Sequence, residues 1–317
     1  MRLIDHVNPV RISIVEYLNT APLVRGFTHG PLRGKYELSF TVPSQCAEAL
    51  RSGAVDVAII PAIEYQRIPG LVILPNLAIA SKKSVRSLLL VSKKPIQEVA
   101  RIALDRSSRS TQALTRILCE KRWHIAPEFF EAAPDLPTML QDADAALLIG
   151  DPALRLAIAC PTKAQRKASG EITSPASLAG LSGSGSLFIY DIVEKWRAMT
   201  SLPAVLAVWA ARREAVTTQL VQDFQDSLAF GLQHLDAIAS EAAAEMQLPA
   251  GELRRYLAEN IDYHLGEENL RGLTRYFAYA VELGLIPKAN IIAMAPEPGG
   301  PARSMDFAAS SKPGLRS

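Results

Sequence analysis

Short apolar runs alternate with amphipathic stretches through roughly the first 200 residues, and this alternation constrains the fold more than any other feature of the chain. Strand-then-helix repeats pack as a mostly parallel sheet covered on both faces, an α/β architecture. Glu37-Leu-Ser-Phe-Thr-Val42 reads as a strand, Ser44 as an N-cap, Gln45 to Arg51 as a helix and Gly53 as its stop, ahead of the strand Asp56-Val-Ala-Ile-Ile-Pro61. Leu71 to Pro75, Leu77 to Ala80 and Arg86 to Ser92 add further apolar segments before Lys93-Lys-Pro95 breaks the pattern.

A second α/β unit starts with the strand Arg101 to Asp105, continues through a helix from Ser110 to Lys121 and returns along Asp144 to Gly150. Cys160 to Ser186 lacks periodicity and reads as a loop or insertion. Leu187 to Tyr190 and Ala204 to Ala211 read as strands leading back to the first unit, followed by helical patterns over 216–245, 250–260 and 268–284. The predicted organisation is a two-lobed α/β chain: lobe 1 from 10–93 and 203–288, lobe 2 from 94–202, and a disordered tail over 289–317. Two crossing strands form its hinge, and a ligand cleft lies between the lobes.

Composition removes several classes of function. The 34 basic and 32 acidic residues are mixed along the chain and leave a net charge of only +2, so no electrostatic footprint for nucleic acid is present. The longest apolar runs, such as Val205 to Ala211, fall far short of the roughly 20 residues that span a bilayer, so no membrane partner is expected. Cys46, Cys119 and Cys160 lack metal-ligand or redox spacing and read as buried thiols suited to a reducing compartment. The amino terminus is too polar and broken for a secretory signal, and the protein is expected in the cytoplasm.

Four segments can carry chemistry. Arg11-Ile-Ser-Ile-Val-Glu-Tyr-Leu-Asn-Thr-Ala-Pro-Leu23 runs from a strand through a polar turn into a helix, which puts Asn19 at a strand's carboxyl end. Asn19 either caps that helix or turns its amide toward a ligand carboxylate or hydroxyl. Ser84-Val-Arg-Ser87 lies where a strand begins near the hinge, as edge residues or as cleft residues. Asp105-Arg-Ser-Ser-Arg-Ser-Thr-Gln112 combines hydroxyls with a helix amino terminus, either as plain capping by Ser108 or Ser110 or as an anion cradle. In Leu147-Leu-Ile-Gly-Asp-Pro-Ala-Leu154, Gly150 permits close backbone approach, while Asp151 caps the next helix or carries a proton. The five histidines are dispersed, no phosphate loop or dinucleotide fingerprint occurs, and metal and nucleotide cofactors are disfavoured.

Taken together, Glu16 to Leu23, Asp56 to Tyr65, Ser84 to Ser87, Ser107 to Thr111, Ala143 to Leu154 and Leu206 to Arg212 resemble the chorismate dehydratases of the futalosine route to menaquinone, over about residues 10 to 288. The resemblance implies a fold similar to type II periplasmic binding proteins. It also implies loss of water from a small-molecule substrate, chorismate, to give 3-[(1-carboxyvinyl)oxy]benzoate, with no metal or organic cofactor. It further implies catalytic roles for Asn19 and Ser87, and substrate binding by Ser108, Arg109, Ser110 and Thr111 together with Gly150 and Asp151.

Two departures stand out: Ala62 occupies a position where the family often has serine, and the loop from Cys160 to Ser186 is long. The sister enzyme of the pathway, 1,4-dihydroxy-6-naphthoate synthase, has a Ser-Pro-Cys-Pro-Asn-Asp type start and a histidine after the strand at 147–149. This chain has Tyr17-Leu-Asn19 and Gly150-Asp151 at those places. A binding module that closes on an aromatic or carboxylate ligand without reacting is the alternative from another functional class.

Overall fold

A computed structural model describes residues 9–160, 171–173, 186–297 and 304–305. Its strands are β1 (Arg11–Val15), β2 (Glu37–Thr41), β3 (Val57–Pro61), β4 (Leu71–Ser81), β5 (Leu88–Ser92), β6 (Arg101–Asp105), β7 (Glu128–Ala132), β8 (Ala145–Ile149), β9 (Glu171–Thr173), β10 (Ser186–Asp191), β11 (Ala204–Arg212), β12 (Ile292–Ala293) and β13 (Ser304–Met305). The helices are α1 (Ala21–Thr28), α2 (Pro43–Ser52), α3 (Ala62–Tyr65), α4 (Arg109–Leu118), α5 (Leu136–Asp142), α6 (Gly150–Ala159), α7 (Ile192–Thr200), α8 (Thr218–Gln233), α9 (Leu235–Met246), α10 (Ala250–Arg255) and α11 (Glu267–Glu282).

Two sheets make the two lobes, one ordered β2-β1-β3-β11-β4 and the other β7-β6-β8-β5-β10-β9. Strands β3, β5 and β8 are buried along their whole length, which is why they read as unbroken apolar runs rather than alternating ones. In each sheet, the strand by which the chain arrives from the other lobe runs against both of its neighbours. That strand is β11 in the first sheet and β5 in the second. One apolar core extends through both lobes, and a smaller one, including Leu89, Val91, Met139 and Leu148, covers the second sheet.

The structure shifts several sequence expectations. The expected lobe boundary at 93 falls after β5, yet β5 bonds to β8 and β10 in the second sheet. The crossings are not two strands: the segment 82–87 leads out of β4, and helix α7 leads back from β10 into β11. Asp191 fastens them together. Its Oδ2 accepts the backbone N–H of Val85 (2.9 Å) and Arg86 (2.7 Å), while its Oδ1 caps α7 through the N–H groups of Val193 and Glu194. Those bonds hold Arg86 at φ 63°, a region unfavourable for a side chain of its size.

Leu71 to Ala80 is one strand rather than two segments, bent where Asn76 adopts φ 61° and β11 shifts register. Ser44 is not the α2 cap. The helix starts one residue earlier at Pro43, whose fixed φ suits a first turn, and it ends at Gly53 with φ 78° as expected. The first residues of the expected tail are held on lobe 1, where Asn290 exchanges hydrogen bonds with Gln66 and Ala295 N–H donates to Ile73 C=O (2.8 Å). Apart from β13, the tail beyond Glu297, most of the 160–186 loop and the first eight residues lie outside the described residues. No described helix is long and apolar enough to cross a membrane.

Candidate active site

The site is built where the chain leaves β1. After Val15 it forms a single 3-10 turn, Leu18–Thr20, and then α1 with Pro22 in its first turn. α1 is seated closely on α8: a Cβ on Gly231 would lie 1.9 Å from the Pro22 carbonyl oxygen, so only glycine admits this approach. Ser227 of α8 accepts the Gly26 N–H and donates to the Leu23 carbonyl. Asn19 therefore rides on a stiff support, and it does not cap α1, whose first turn takes no side-chain cap. Its Oδ1 accepts from Thr20 Oγ1 (3.3 Å), and its side chain lies close enough to the Tyr256 phenol to pull its pKa down against burial.

Ser87 closes the crossing segment 82–87. Its carbonyl accepts the Gly150 N–H (2.8 Å), and its Oγ accepts from Tyr256 Oη (2.9 Å). Asn19 and Ser87, 9% and 1% exposed, thus lie around one phenol, which donates to Ser87 and whose pKa Asn19 pulls down. Tyr256 opens a turn of π-helix, Tyr256–Asn260, whose other end holds the same crossing through Asn260 Nδ2 and the Ser84 carbonyl (2.8 Å). Burial raises the Tyr256 phenol well above its ordinary range, so it stays protonated. Nothing in the sequence pattern singled out Tyr256; its stretch reads as an ordinary amphipathic helix.

From lobe 2, Gly150 and Asp151 meet the β1 turn. The helix α6 begins at Gly150, so Asp151 lies inside its first turn instead of capping it. The Asp151 carboxylate accepts the Leu18 N–H across the seam (3.1 and 3.3 Å). Burial, reinforced by Glu245, lifts this carboxyl to about 6, against the opposing pull of the Leu18 N–H and Arg155. Gly150 has φ 64°, and a Cβ there would stand 2.7 Å from the Tyr17 ring, so the position is closed to other residues twice over. The Tyr17 hydroxyl lies 3.5 Å from Ser107 Oγ, and Ser107 in turn donates its N–H and hydroxyl to buried Asp105. Burial raises the Tyr17 phenol to about 12.

The first turn of α4 divides its groups between two tasks. Arg109 places its guanidinium on Glu64 (3.0 Å) and Glu48 (2.8 Å) of lobe 1, and Ser110 accepts the Ile63 N–H and, through its carbonyl, the Tyr276 hydroxyl. These side chains anchor the lobes to each other. Ser108 is the N-cap residue but makes no side-chain cap bond, and Thr111 is buried. The backbone N–H groups of Arg109, Ser110 and Thr111 have no carbonyl four residues back within the helix. Fully buried Ala62 adjoins this anchor.

A cavity of about 300 Å³ opens on the other side of the Tyr17–Leu18 turn, walled by Thr20, Arg25, His29, Asp151 and Glu245 among others, and neither Asn19 nor Ser87 lines it. The seam that holds those two residues is closed. Among the described residues, no three His, Cys, Asp or Glu side chains gather where they can hold a metal ion. All three cysteines are buried, which raises the thiols of Cys46 and Cys119 to about 11 and about 12.

A profile of the family described as menaquinone biosynthesis matches residues 10–282. The chain is 29% identical over 282 residues to a Thermus thermophilus protein named chorismate dehydratase, which takes in 88% of this chain and 97% of that relative. Among solved structures, a protein of Archaeoglobus fulgidus matches with a TM-score of 0.67 at 19% identity, over 89% of this chain and 100% of its own. The alkanesulfonate-binding protein SsuA of Xanthomonas axonopodis pv. citri, bound to MOPS, gives 0.59 at 15% identity, over 88% and 94%. The periplasmic aliphatic sulphonate binding protein SsuA of Escherichia coli gives 0.55 at 16%, over 88% of each chain. At these identities the likeness shows the fold: two lobes of the periplasmic-binding-protein kind, as the sequence predicts.

Proposed function

The chain belongs to the menaquinone biosynthesis family, and from that premise we propose that it removes water from chorismate to give 3-[(1-carboxyvinyl)oxy]benzoate. The observation that carries this reading is the meeting of Asn19 and Ser87 at the lobe seam, in a chain related over most of its length to a named chorismate dehydratase. The ring of chorismate gains aromaticity as it loses water, so the driving force lies in the substrate. The protein has to orient the molecule and keep solvent out.

In the proposed reaction a ring C–H bond gives its proton to the substrate's own enolpyruvyl carboxylate. The electron pair left behind forms the new ring double bond. The neighbouring C–O bond breaks with its pair on oxygen, and the departing hydroxide takes up the proton as water. Neither an amide nor a serine hydroxyl is a strong base, so Asn19 and Ser87 act as donors to the oxygen on which charge develops. The first-turn N–H groups of α4, from Arg109 to Thr111, bind a substrate carboxylate with help from the helix dipole. Gly150 lets the backbone approach, and Asp151 holds the seam through Leu18 rather than acting as the base. This chemistry needs no cofactor and suits a cytoplasmic enzyme of the lyase class.

Incubating purified protein with chorismate and following its diene absorbance, with the product identified by mass, tests the proposal. Catalytic loss of the diene is the expected result. Stoichiometric binding without turnover would instead make the protein a closing receptor of the kind its fold resembles.

A further inference from the structure

Tyr256 stands behind both residues to which the proposed reaction assigns catalysis, and its side chain is entirely buried. Its hydroxyl donates to Ser87 Oγ at 2.9 Å, with the Asn19 side chain close to the same phenol. A serine hydroxyl that accepts at its oxygen has its rotor fixed and keeps its own hydrogen to donate elsewhere. Two hydroxyls joined in a dry interior also polarise one another, which strengthens the terminal donor. The supporting backbone fits the task. The turn of π-helix at Tyr256–Asn260 is an irregularity that often accompanies functional sites, and its Asn260 holds the Ser84 carbonyl of the crossing that bears Ser87.

We infer that Tyr256 is a positioning residue of this site: its phenol fixes the hydroxyl of Ser87 in the orientation that donates to the hydroxyl leaving the substrate. This role rests on the dehydratase reading. Tyr256 touches no reacting atom and remains protonated throughout; it sets the aim of the Ser87 donor.

The test is a double-mutant cycle on the full chain, with chorismate turnover and product affinity both measured. Tyr256→Phe keeps the ring and deletes the hydroxyl. Its kcat is expected to fall about tenfold, less than for loss of a direct donor, while product affinity changes little. Tyr256→Phe added to Ser87→Ala is expected to lower kcat no further than Ser87→Ala alone, because the phenol then has no hydroxyl left to aim.

A kcat for Tyr256→Phe equal to that of the native protein overturns the role, and so do losses that multiply in the double variant. Placing 3-fluorotyrosine at 256 retains shape and donor: turnover near the native level supports the role, and a fall to the phenylalanine level assigns the residue to packing. Native protein that leaves chorismate intact overturns the dehydratase reading and this role with it. Native turnover with an unaffected Tyr256→Phe variant overturns the role alone.

Discussion

The seam between the lobes has two ends built on opposite principles. At one end, Glu64, with no exposed surface, takes ion pairs from Arg51, Arg67 and Arg109, and Ser110 bonds to Ile63 and Tyr276. At the other, uncharged groups, Asn19, Ser87, Tyr256 and Tyr17, gather, and the Asp151 carboxylate accepts the Leu18 N–H across the seam. The first end is saturated with charge-assisted bonds and holds position. The second, on the proposed function, supplies neutral donors for a substrate oxygen. Strength of contact and capacity for chemistry are therefore separated along a single interface.

Substitutions at the two ends are expected to differ in kind. The largest effect is on stability. Glu64→Gln leaves three arginines without their shared buried partner and lowers the unfolding free energy by about 3–5 kcal/mol, as urea denaturation will measure, while the molecules that fold keep their turnover. Asn19→Ala or Ser87→Ala does the reverse: kcat falls about 10²–10³-fold, equivalent to about 2.7–4 kcal/mol, with product affinity by calorimetry and melting temperature changed far less. If Glu64→Gln abolished turnover in folded protein, or Asn19→Ala mainly unfolded it, the division between the ends would fail.

Gly150→Ala joins the two properties. The added methyl enters the Tyr17 ring from a backbone at φ 64°, so stability drops by about 1–3 kcal/mol and turnover falls with it, readable from melting and assay on one sample.

The smallest effect is a pH dependence at Asp151. Its carboxyl titrates at about 6 in the fold against an ordinary 3.8, so between those values the folded protein holds the proton more tightly than the unfolded chain. Its cost to stability is therefore absent below the lower value, grows as pH rises, and is complete above the upper one. Asp151→Asn is expected to gain on the native protein across that window, by about 1–2 kcal/mol at neutral pH after discounting for solvent screening. If turnover of this variant fell about 10²–10⁴-fold, Asp151 would be the base in place of the substrate carboxylate.

The strands and the two-lobed plan were legible in the sequence because apolar runs such as Val57–Pro61 and Ala145–Ile149 report burial directly, and because Gly53 marks a helix end by its backbone alone. The meeting of Asn19 and Ser87 was legible only through resemblance, since 68 positions separate them and local pattern allows each a bland role. Tyr256 was hidden for a physical reason: a buried tyrosine on an amphipathic helix looks the same whether its hydroxyl meets a backbone carbonyl or a serine of another segment. The lobe 1 partners of Arg109 and Ser110 were not legible, because a helix amino terminus rich in hydroxyls carries no sign of the carboxylates and amides that another lobe brings to it.

Asp191 binds the backbone of both lobe connections, so one buried carboxyl ties the outgoing segment to the returning helix. Replacing Asp191 would release the outgoing and returning crossings from each other at the same point where the first residues of both leave their lobes.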